Sequence, residues 1–292
     1  MSFAGTHTAL VTPFREGAFD VAAFRALIEA QIAGGVEGIV PVGTTGESPT
    51  VTHDEHTEII RVAVEAAAGR CQVIAGTGSN STAEAIDLSL EAEKLGATAL
   101  LLVAPYYNKP SQEGLYRHFK AIADAVKIPV VLYSIPGRCG VEIAVETVVR
   151  LACDCPNITC IKEAGGTVER VSALRQVVPE GFEIVSGDDS LTLPFLAAGA
   201  VGVISVASNY LPKEVSGLVR DWREGRITEA AATHHRLYPL FKVLFIEPNP
   251  VPVKYALARR GVMTADVRLP LCEMSEANEK KLCAALVPFA GR

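Results

Sequence analysis

Short apolar runs alternate along this chain with longer segments in which apolar residues recur at helical spacing. The apolar runs have the length of buried strands and lie at residues 8–13, 38–42, 71–76, 99–104, 129–135, 157–162, 183–186 and 202–206. The segment after the first run illustrates the helical spacing, since Val21, Phe24 and Ile28 fall on one face of a helix. The pattern therefore predicts strands and helices in alternation.

Signals for helix starts and for an internal repeat support this alternation. The sequences from Thr52 to Glu55 and from Ser81 to Glu84 each match a capping box, in which the two outer side chains satisfy free backbone N–H groups. A helix-ending glycine, two connecting residues and a strand recur at residues 35–42, 96–103 and 199–206. This weak repeat indicates that one strand-helix module is used several times.

The number of modules predicts the fold. Continuous apolar strands joined by helices are typical of a parallel sheet covered on both faces. About eight modules fall within residues 1–224, which predicts an α/β fold closed into a (β/α)8 TIM barrel that carries the active site. The alternative, an open doubly wound sheet, is expected to carry a Gly-x-Gly-x-x-Gly turn after its first strand, and the sequence has none there. Residues 225–292 predict a helical extension packed on the barrel.

Composition and charge narrow the range of partners. The 292 residues are 49% hydrophobic and have a net charge of −6. Lysine and arginine form no cluster, which argues against nucleic acid or an anionic membrane surface as a partner. The first residues do not resemble a signal peptide, and no apolar stretch has the length of a membrane span. We therefore expect a cytoplasmic protein.

The seven cysteines are more typical of reduced thiols than of a disulfide framework, because their number is odd and their spacing irregular. Cys153, Cys155 and Cys160 lie close together and offer possible metal ligands, but their spacing matches no common zinc pattern. We therefore expect no metal site.

Lys162 is the most unusual residue in the predicted barrel, because it stands at the end of a buried apolar strand. Burial disfavours the charged ammonium and lowers its pKa, which leaves free amine to attack a carbonyl carbon. The alternative is an ordinary strand-end lysine that reaches solvent or pairs with Glu163.

Other strand ends supply groups that suit the same chemistry, since the working residues of such barrels lie at the C-terminal ends of strands. Thr44 and Thr45, between glycines, predict a loop whose amides bind an anion, although plain turns have similar sequences. Tyr133 can relay protons and Arg138 can hold a carboxylate, unless they are simply a core tyrosine and a surface arginine. Together these residues predict an iminium between Lys162 and a small 2-oxo acid, followed by an aldol-type condensation.

Seven motifs, in order, also carry a resemblance over essentially the whole chain. They lie at residues 43–47, 133–140, 161–164, 187–189, 202–209, 247–254 and 267–270. By these motifs the chain resembles the dihydrodipicolinate synthase family, a group of pyruvate-dependent class I aldolases related to N-acetylneuraminate lyase. The resemblance implies condensation of pyruvate with L-aspartate 4-semialdehyde to 4-hydroxy-tetrahydrodipicolinate, in lysine and diaminopimelate biosynthesis.

The resemblance also implies roles for individual residues. Lys162 would form the Schiff base with pyruvate, which needs no metal or organic cofactor. Tyr133, Thr44 and Tyr107 would relay protons, with Tyr107 contributed across a tight dimer interface of a homotetramer. The implied substrate-binding residues are Thr45 and the backbone at Ile204 for pyruvate, Arg138 for the carboxylate of the semialdehyde, and Gly187.

Two other functions remain open at this point. A related aldolase could cleave N-acetylneuraminate or a 2-keto-3-deoxy sugar acid, although a cation at Arg138 suits the synthase better. The motif departs from the family at Ser134, Gly137 and Cys139, where asparagine, serine and threonine are common. These changes concern the pocket of the second substrate. A noncatalytic oxo-acid-binding barrel is the remaining alternative, although binding alone does not require lysine, tyrosine and threonine together.

A second group of residues suggests regulation. His53 and His56 lie one helical turn apart, which fits either a metal pair or a solvated first turn of a helix. The family resemblance adds a third interpretation, a feedback site for L-lysine at the dimer interface. Its residues would be Ser48, His53, His56, Asn80, Glu84 and Tyr106.

Overall fold

The eight predicted strands form a closed parallel barrel in the computed structural model, which describes residues 1–289. The strands are β1 Gly5–Ala9, β2 Phe14–Arg15, β3 Ala18–Phe19, β4 Gly38–Val40, β5 Gln72–Gly76, β6 Ala99–Val103, β7 Val130–Ser134, β8 Ile158–Glu163, β9 Glu183–Ser186 and β10 Gly202–Ser205. Strands β2 and β3 form a separate antiparallel hairpin, and the barrel closes where β1 pairs with β10. The predicted TIM barrel is confirmed.

Helices surround the barrel and continue beyond its last strand. They are α1 Val21–Ala33, α2 His53–Ala67, α3 Thr82–Lys94, α4 Gln112–Ala125, α5 Pro136–Cys139, α6 Val145–Asp154, α7 Val168–Val177, α8 Thr192–Ala197, α9 Pro212–Arg223, α10 Ile227–Val243, α11 Val251–Arg259 and α12 Glu276–Leu286. Helices α10 to α12 correspond to the predicted extension, and we place its start near residue 225 as a proposal. No helix of residues 1–289 combines the length and the apolar character that a membrane span needs.

Strand periodicity divides the apolar side chains into two cores. Successive side chains of a strand point to opposite faces. In β7, Val130 and Leu132 therefore pack in the outer core between strands and helices, whereas Val131 and Tyr133 belong to the inner core of the barrel. The same alternation directs the functional side chains of neighbouring strands into the barrel.

The predicted helix starts are largely correct. The side chain of Thr52 accepts a hydrogen bond from Glu55 N, and Glu55 completes the capping box. Ser81 also caps its helix, but the second capping box is wrong, because the carboxylate of Glu84 bonds to His53 and Ser79 instead. That carboxylate is engaged in a tertiary contact, which competes with the local one.

Two strands differ from the prediction by more than one residue at an end. The first strand covers Gly5–Ala9 rather than residues 8–13. Residues 10–13 therefore lie beyond the end of the strand. The second ends at Val40 rather than at residue 42, because Val42 has a φ of 48° and left-handed backbone cannot continue a strand. Val42 is followed directly by residues 43–47, which we call the threonine loop.

Candidate active site

Lys162 and Tyr133 lie side by side at the C-terminal end of the barrel. Strands β7 and β8 pair in a register that places Tyr133 opposite Lys162. Tyr133 belongs to the inner core, and so does Cys160, two residues before Lys162, so strand periodicity turns both functional side chains inward. The Lys162 Nζ atom lies 4.1 Å from the centroid of the Tyr133 ring.

The interior position changes the acidity of both groups. Lys162 is only 6% exposed, and burial lowers the pKa of its amine to about 7, with the charge of Arg138 acting in the same direction and that of Asp189 opposing it. Burial also raises the pKa of Tyr133 to about 12. The alternative of a solvent-reaching or Glu163-paired lysine is wrong, since Glu163 pairs with Arg170 at 2.6 Å.

The threonine loop follows β4 and is fixed from several sides. Thr45 is buried, and its Oγ1 accepts a hydrogen bond of 2.9 Å from Asn249 Nδ2. The hydroxyl of Thr12 donates to Gly46 O at 2.7 Å. Thr44 lines the same cavity as Tyr133, and its side chain partly opposes the effect of burial on the pKa of the phenol. The loop therefore presents Thr44 to the tyrosine and holds Thr45 in a defined position.

A cavity of about 370 Å³ opens beside these residues. Thr44, Tyr133 and Arg138 all contribute to its lining, and Cys139 lies in it as well. Arg138 belongs to α5 and is exposed, so its guanidinium can meet a ligand that enters from solvent. Lys162 is not among the lining residues, but its amine lies against the ring of Tyr133, which is one of them.

Strands β9 and β10 follow β8 in the barrel, on the side away from Tyr133, and their ends border the site there. Gly187 approaches Lys162 so closely that an added Cβ would lie 3.2 Å from Lys162 Cε and 2.7 Å from Ala164 Cβ. Ile204 is buried in the inner core. Asp189 accepts hydrogen bonds from Val206 N at 3.0 Å and from Ala207 N at 2.9 Å.

Asp189 has a place in the site that sequence reasoning missed. It is 2% exposed, and burial raises the pKa of its carboxyl to about 6. Its charge favours the protonated form of Lys162. The Gly-Asp-Asp sequence was the available signal, although it does not reveal which aspartate faces inward.

Tyr107 is not brought into the site by its own chain. Its side chain is 90% exposed, and its backbone φ of 71° is unusual for a residue with a bulky side chain. Neighbouring Tyr106, by contrast, lines the cavity.

The residues expected for a lysine site lie close together. The His53 imidazole contacts Glu84 at 2.8 Å, and Asn80 Nδ2 donates to Tyr106 O at 3.2 Å. Ser48 and Tyr106 line the same cavity as Tyr133, so the patch adjoins the candidate active site. Hydrogen bonds from Ser79 and His53 lower the pKa of Glu84, which keeps it ionised.

The two histidines differ in environment. His53 is exposed, as a solvated first turn predicts, but that interpretation is wrong for His56, which is 3% exposed. His56 Nε2 donates to Gly76 O at 2.9 Å because α2 turns this face toward the barrel. Within residues 1–289, no three His, Cys, Asp or Glu side chains form a group suited to a metal ion, Cys153, Cys155 and Cys160 included.

Comparison with known proteins identifies the family of the chain. Residues 2–288 match the model of the dihydrodipicolinate synthetase family. The 4-hydroxy-tetrahydrodipicolinate synthase of Endomicrobium trichonymphae is 51% identical over 287 residues, which cover 98% of this chain and 98% of that protein.

Solved structures agree with the sequence comparison. The 4-hydroxy-tetrahydrodipicolinate synthase of Methylacidiphilum fumariolicum SolV has a TM-score of 0.97 at 55% identity, covering 98% of this chain and 95% of that one. The dihydrodipicolinate synthase (DHDPS) of Cyanidioschyzon merolae was solved with lysine bound. It has a TM-score of 0.95 at 42% identity, covering 98% of this chain and 97% of that one. The resemblance found in the sequence is confirmed: the chain belongs to the dihydrodipicolinate synthetase family.

Proposed function

We propose that this chain condenses pyruvate with L-aspartate 4-semialdehyde through a Schiff base at Lys162, giving 4-hydroxy-tetrahydrodipicolinate. The observation that carries the proposal is a buried lysine, with a pKa lowered to about 7, beside a buried tyrosine on the adjacent strand. Relatives about 50% identical over nearly the whole chain carry the name of this activity, which supports the synthase over a sugar acid lyase.

The reaction begins with capture of pyruvate. The neutral amine of Lys162 attacks the keto carbon, and loss of water gives an iminium. Loss of a methyl proton then gives an enamine, whose carbon attacks the aldehyde of the second substrate. The amino group of that substrate can displace the lysine as the ring closes, which frees Lys162. The covalent iminium supplies the electron sink, so we propose no metal or organic cofactor.

Tyr133 and Thr44 move the protons in this scheme. With a pKa near 12, the phenol of Tyr133 stays protonated at neutral pH and can donate one proton while it accepts another. Thr44 lines the cavity beside it and would be the next group in the relay. Tyr107 of a second copy would extend this relay, and its exposure on its own chain supports that role.

Pyruvate would be held by the threonine loop and by the ends of β9 and β10. The hydroxyl of Thr45 and the loop amides suit its carboxylate. Gly187 lies against Lys162, and Ile204 belongs to the inner core of the barrel, so we assign the remainder of the three-carbon acid to these two strand ends. Arg138 suits the carboxylate of the semialdehyde, because guanidinium pairs well with carboxylates.

The decisive test is a condensation assay coupled to a dihydrodipicolinate reductase. We expect turnover with pyruvate and aspartate semialdehyde, and we expect borohydride reduction with pyruvate to add one adduct per chain at Lys162. Turnover of N-acetylneuraminate or 2-keto-3-deoxygluconate, without condensation, would assign the chain to the sugar acid lyases. Adduct formation without any turnover would indicate a noncatalytic barrel that binds oxo acids.

Replacing Arg138 by alanine is expected to raise KM for aspartate semialdehyde about tenfold to a hundredfold, because a hydrogen bond to a charged group contributes about 1.5–3 kcal/mol. Capture of pyruvate should change little. Steady-state kinetics with each substrate varied in turn separates the two effects. Arg117→Ala, on an exposed part of α4, is the matched control. An unchanged KM for the semialdehyde contradicts the assigned role.

The rate of pyruvate capture is expected to rise with pH and to level off near pH 8. The amine of Lys162 is about half neutral at pH 7 if its pKa is about 7. An ordinary lysine, with a pKa of about 10.4, would be less than about one-thousandth neutral there. Quenched intact-mass measurements between pH 5 and 10 give the profile. A rate that continues to rise up to pH 10 would indicate an unperturbed amine.

Saturating L-lysine is expected to slow the condensation, because Glu84 offers an ionised carboxylate for its ammonium group beside the cavity. The lysine-bound relative from Cyanidioschyzon merolae supports this proposal. The coupled assay should show the inhibition, and Glu84→Gln should weaken it. A rate that is independent of lysine rules out the regulatory site in this chain.

We further propose that the protein works in the cytoplasm as a homotetramer built from tight dimers. Exposed Tyr107 and the residues assigned to the lysine site would meet their counterparts across the tight interface. The nearly complete exposure of an aromatic side chain beside the cavity supports this arrangement.

A further inference from the structure

The threonine loop is held largely by residues that lie about 200 positions later in the chain. Asn249 Nδ2 donates to Thr45 Oγ1 at 2.9 Å. Lys254 Nζ donates to Glu47 Oε1 at 2.6 Å, and the backbone N of Arg268 donates to Glu47 Oε2 at 3.0 Å. The helical extension therefore reaches the residues assigned to pyruvate.

The contact between Lys254 and Glu47 is fully withdrawn from water. The two side chains are 0% and 1% exposed. Burying a charge is costly unless it is paired and hydrogen-bonded, and both oxygens of this carboxylate have donors. Glu47 also has a left-handed backbone, with a φ of 57°, so the end of the loop has little freedom to move.

The contact between Asn249 and Thr45 determines what the threonine hydroxyl can do. A hydroxyl group has one hydrogen to donate and an oxygen that can accept. Because the oxygen of Thr45 accepts from the Asn249 amide, its hydrogen points elsewhere and is free for a substrate carboxylate. An accepted hydrogen bond also polarises the hydroxyl and strengthens its donation.

The remaining atom of this amide has an unusual environment. Asn249 Oδ1 is buried and has no hydrogen-bond partner within residues 1–289. A buried acceptor without a partner lowers stability, so stability alone does not explain an asparagine here.

We propose that Asn249 and Lys254 are positioning residues for pyruvate, Asn249 by orienting the hydroxyl of Thr45 and Lys254 by fixing the threonine loop through Glu47. This inference rests on the proposed function, in which Thr45 contacts the pyruvate carboxylate. It makes the helical extension part of the substrate site. Neither residue touches the reacting atoms.

The test compares the pyruvate concentration that half-saturates borohydride trapping at Lys162. We expect Asn249→Ala and Thr45→Val each to raise this concentration about tenfold. In the double variant, Asn249→Ala should add less than a further twofold, because it acts through a hydroxyl that is no longer there. Two losses that multiply would overturn the proposal.

One additional variant separates orientation from folding. Asn249→Asp has nearly the same shape, but a carboxylate accepts where the amide donates, so the Thr45 hydroxyl would turn away from pyruvate. We expect a larger loss of trapping for the aspartate variant than for the alanine variant. If the aspartate variant traps pyruvate as well as the unmodified protein does, the proposal is wrong. This measurement can still be made if the alanine variant fails to fold.

The matched control is Asn278→Ala, since Asn278 Nδ2 donates to Glu247 Oε1 at 2.8 Å within the extension. Its pyruvate dependence should not change. Lys254→Met should raise the half-saturating concentration by more than threefold, and a smaller change excludes Lys254 from the proposal. Failure of the proposed function is a different result: the unmodified protein would then form no adduct with pyruvate.

Discussion

Replacing Lys162 by methionine is expected to abolish both the borohydride adduct with pyruvate and the condensation. Loss of the attacking group from an enzyme that works through a covalent intermediate lowers kcat by about 10⁴-fold or more. Methionine has a similar length and leaves the surrounding packing intact. Intact-mass analysis after reduction and the coupled assay measure the two losses.

The same replacement is expected to stabilise the fold by about 2–4 kcal/mol at pH 7, because a pKa lowered from 10.5 to about 7 disfavours the charged amine in the folded state. The sign follows from linkage. The unfolded chain binds a proton at this lysine below pH 10.5, so the destabilisation is fully present below pH 7 and disappears above pH 10.5. Urea unfolding of both proteins at pH 7 and at pH 10.5 measures it.

Lys94→Met is a suitable control, because the side chain of Lys94 is 76% exposed and forms only a surface ion pair. Both its activity and its stability should match those of the unmodified protein. Retention of the pyruvate adduct by the Lys162 variant would mean that another amine reacts, and the assigned chemistry would be wrong.

Replacing Tyr133 by phenylalanine is expected to lower kcat by about 10²- to 10⁴-fold, the usual contribution of a positioned acid-base group. The ring stays beside Lys162, so packing and the environment of the amine change little. Only the hydroxyl that interacts with Thr44 is lost. The coupled assay at saturating substrates gives kcat, and circular dichroism establishes that the variant is folded.

A peripheral tyrosine provides the comparison. Tyr116 donates its hydroxyl to Asp154 at 2.8 Å on the outer side of the barrel, so Tyr116→Phe should retain full activity. A kcat within threefold of the unmodified value for the Tyr133 variant would contradict the proton relay.

Much of the architecture follows from short-range pattern. Strand-length apolar runs and helical spacing are local properties, and eight repeats leave few folds to consider. The approach of Lys162 to Tyr133 also follows, because two strand ends with inward side chains meet in adjacent strands of a parallel barrel. The family was recognisable for a related reason: five of its seven motifs lie at the C-terminal ends of barrel strands.

Other features depend on contacts that no local pattern encodes. Asn249 and Thr45 are 204 positions apart, and nothing in either segment indicates the partner. Glu84 has the right position for a capping box but bonds to His53 from another helix. Lys254 offered one signal, a lysine on an otherwise apolar face of a helix, which resembles the signal that identified Lys162.

The long separation between Glu47 and Lys254 has a consequence for synthesis on the ribosome. A nascent chain can complete most of its strands and still lack the cation for a carboxylate at the barrel mouth, since the two residues are 207 positions apart. Until α11 leaves the exit tunnel, that carboxylate needs water or a chaperone surface around it. Competence to capture pyruvate would therefore arise only after α11 has emerged and packed on the barrel.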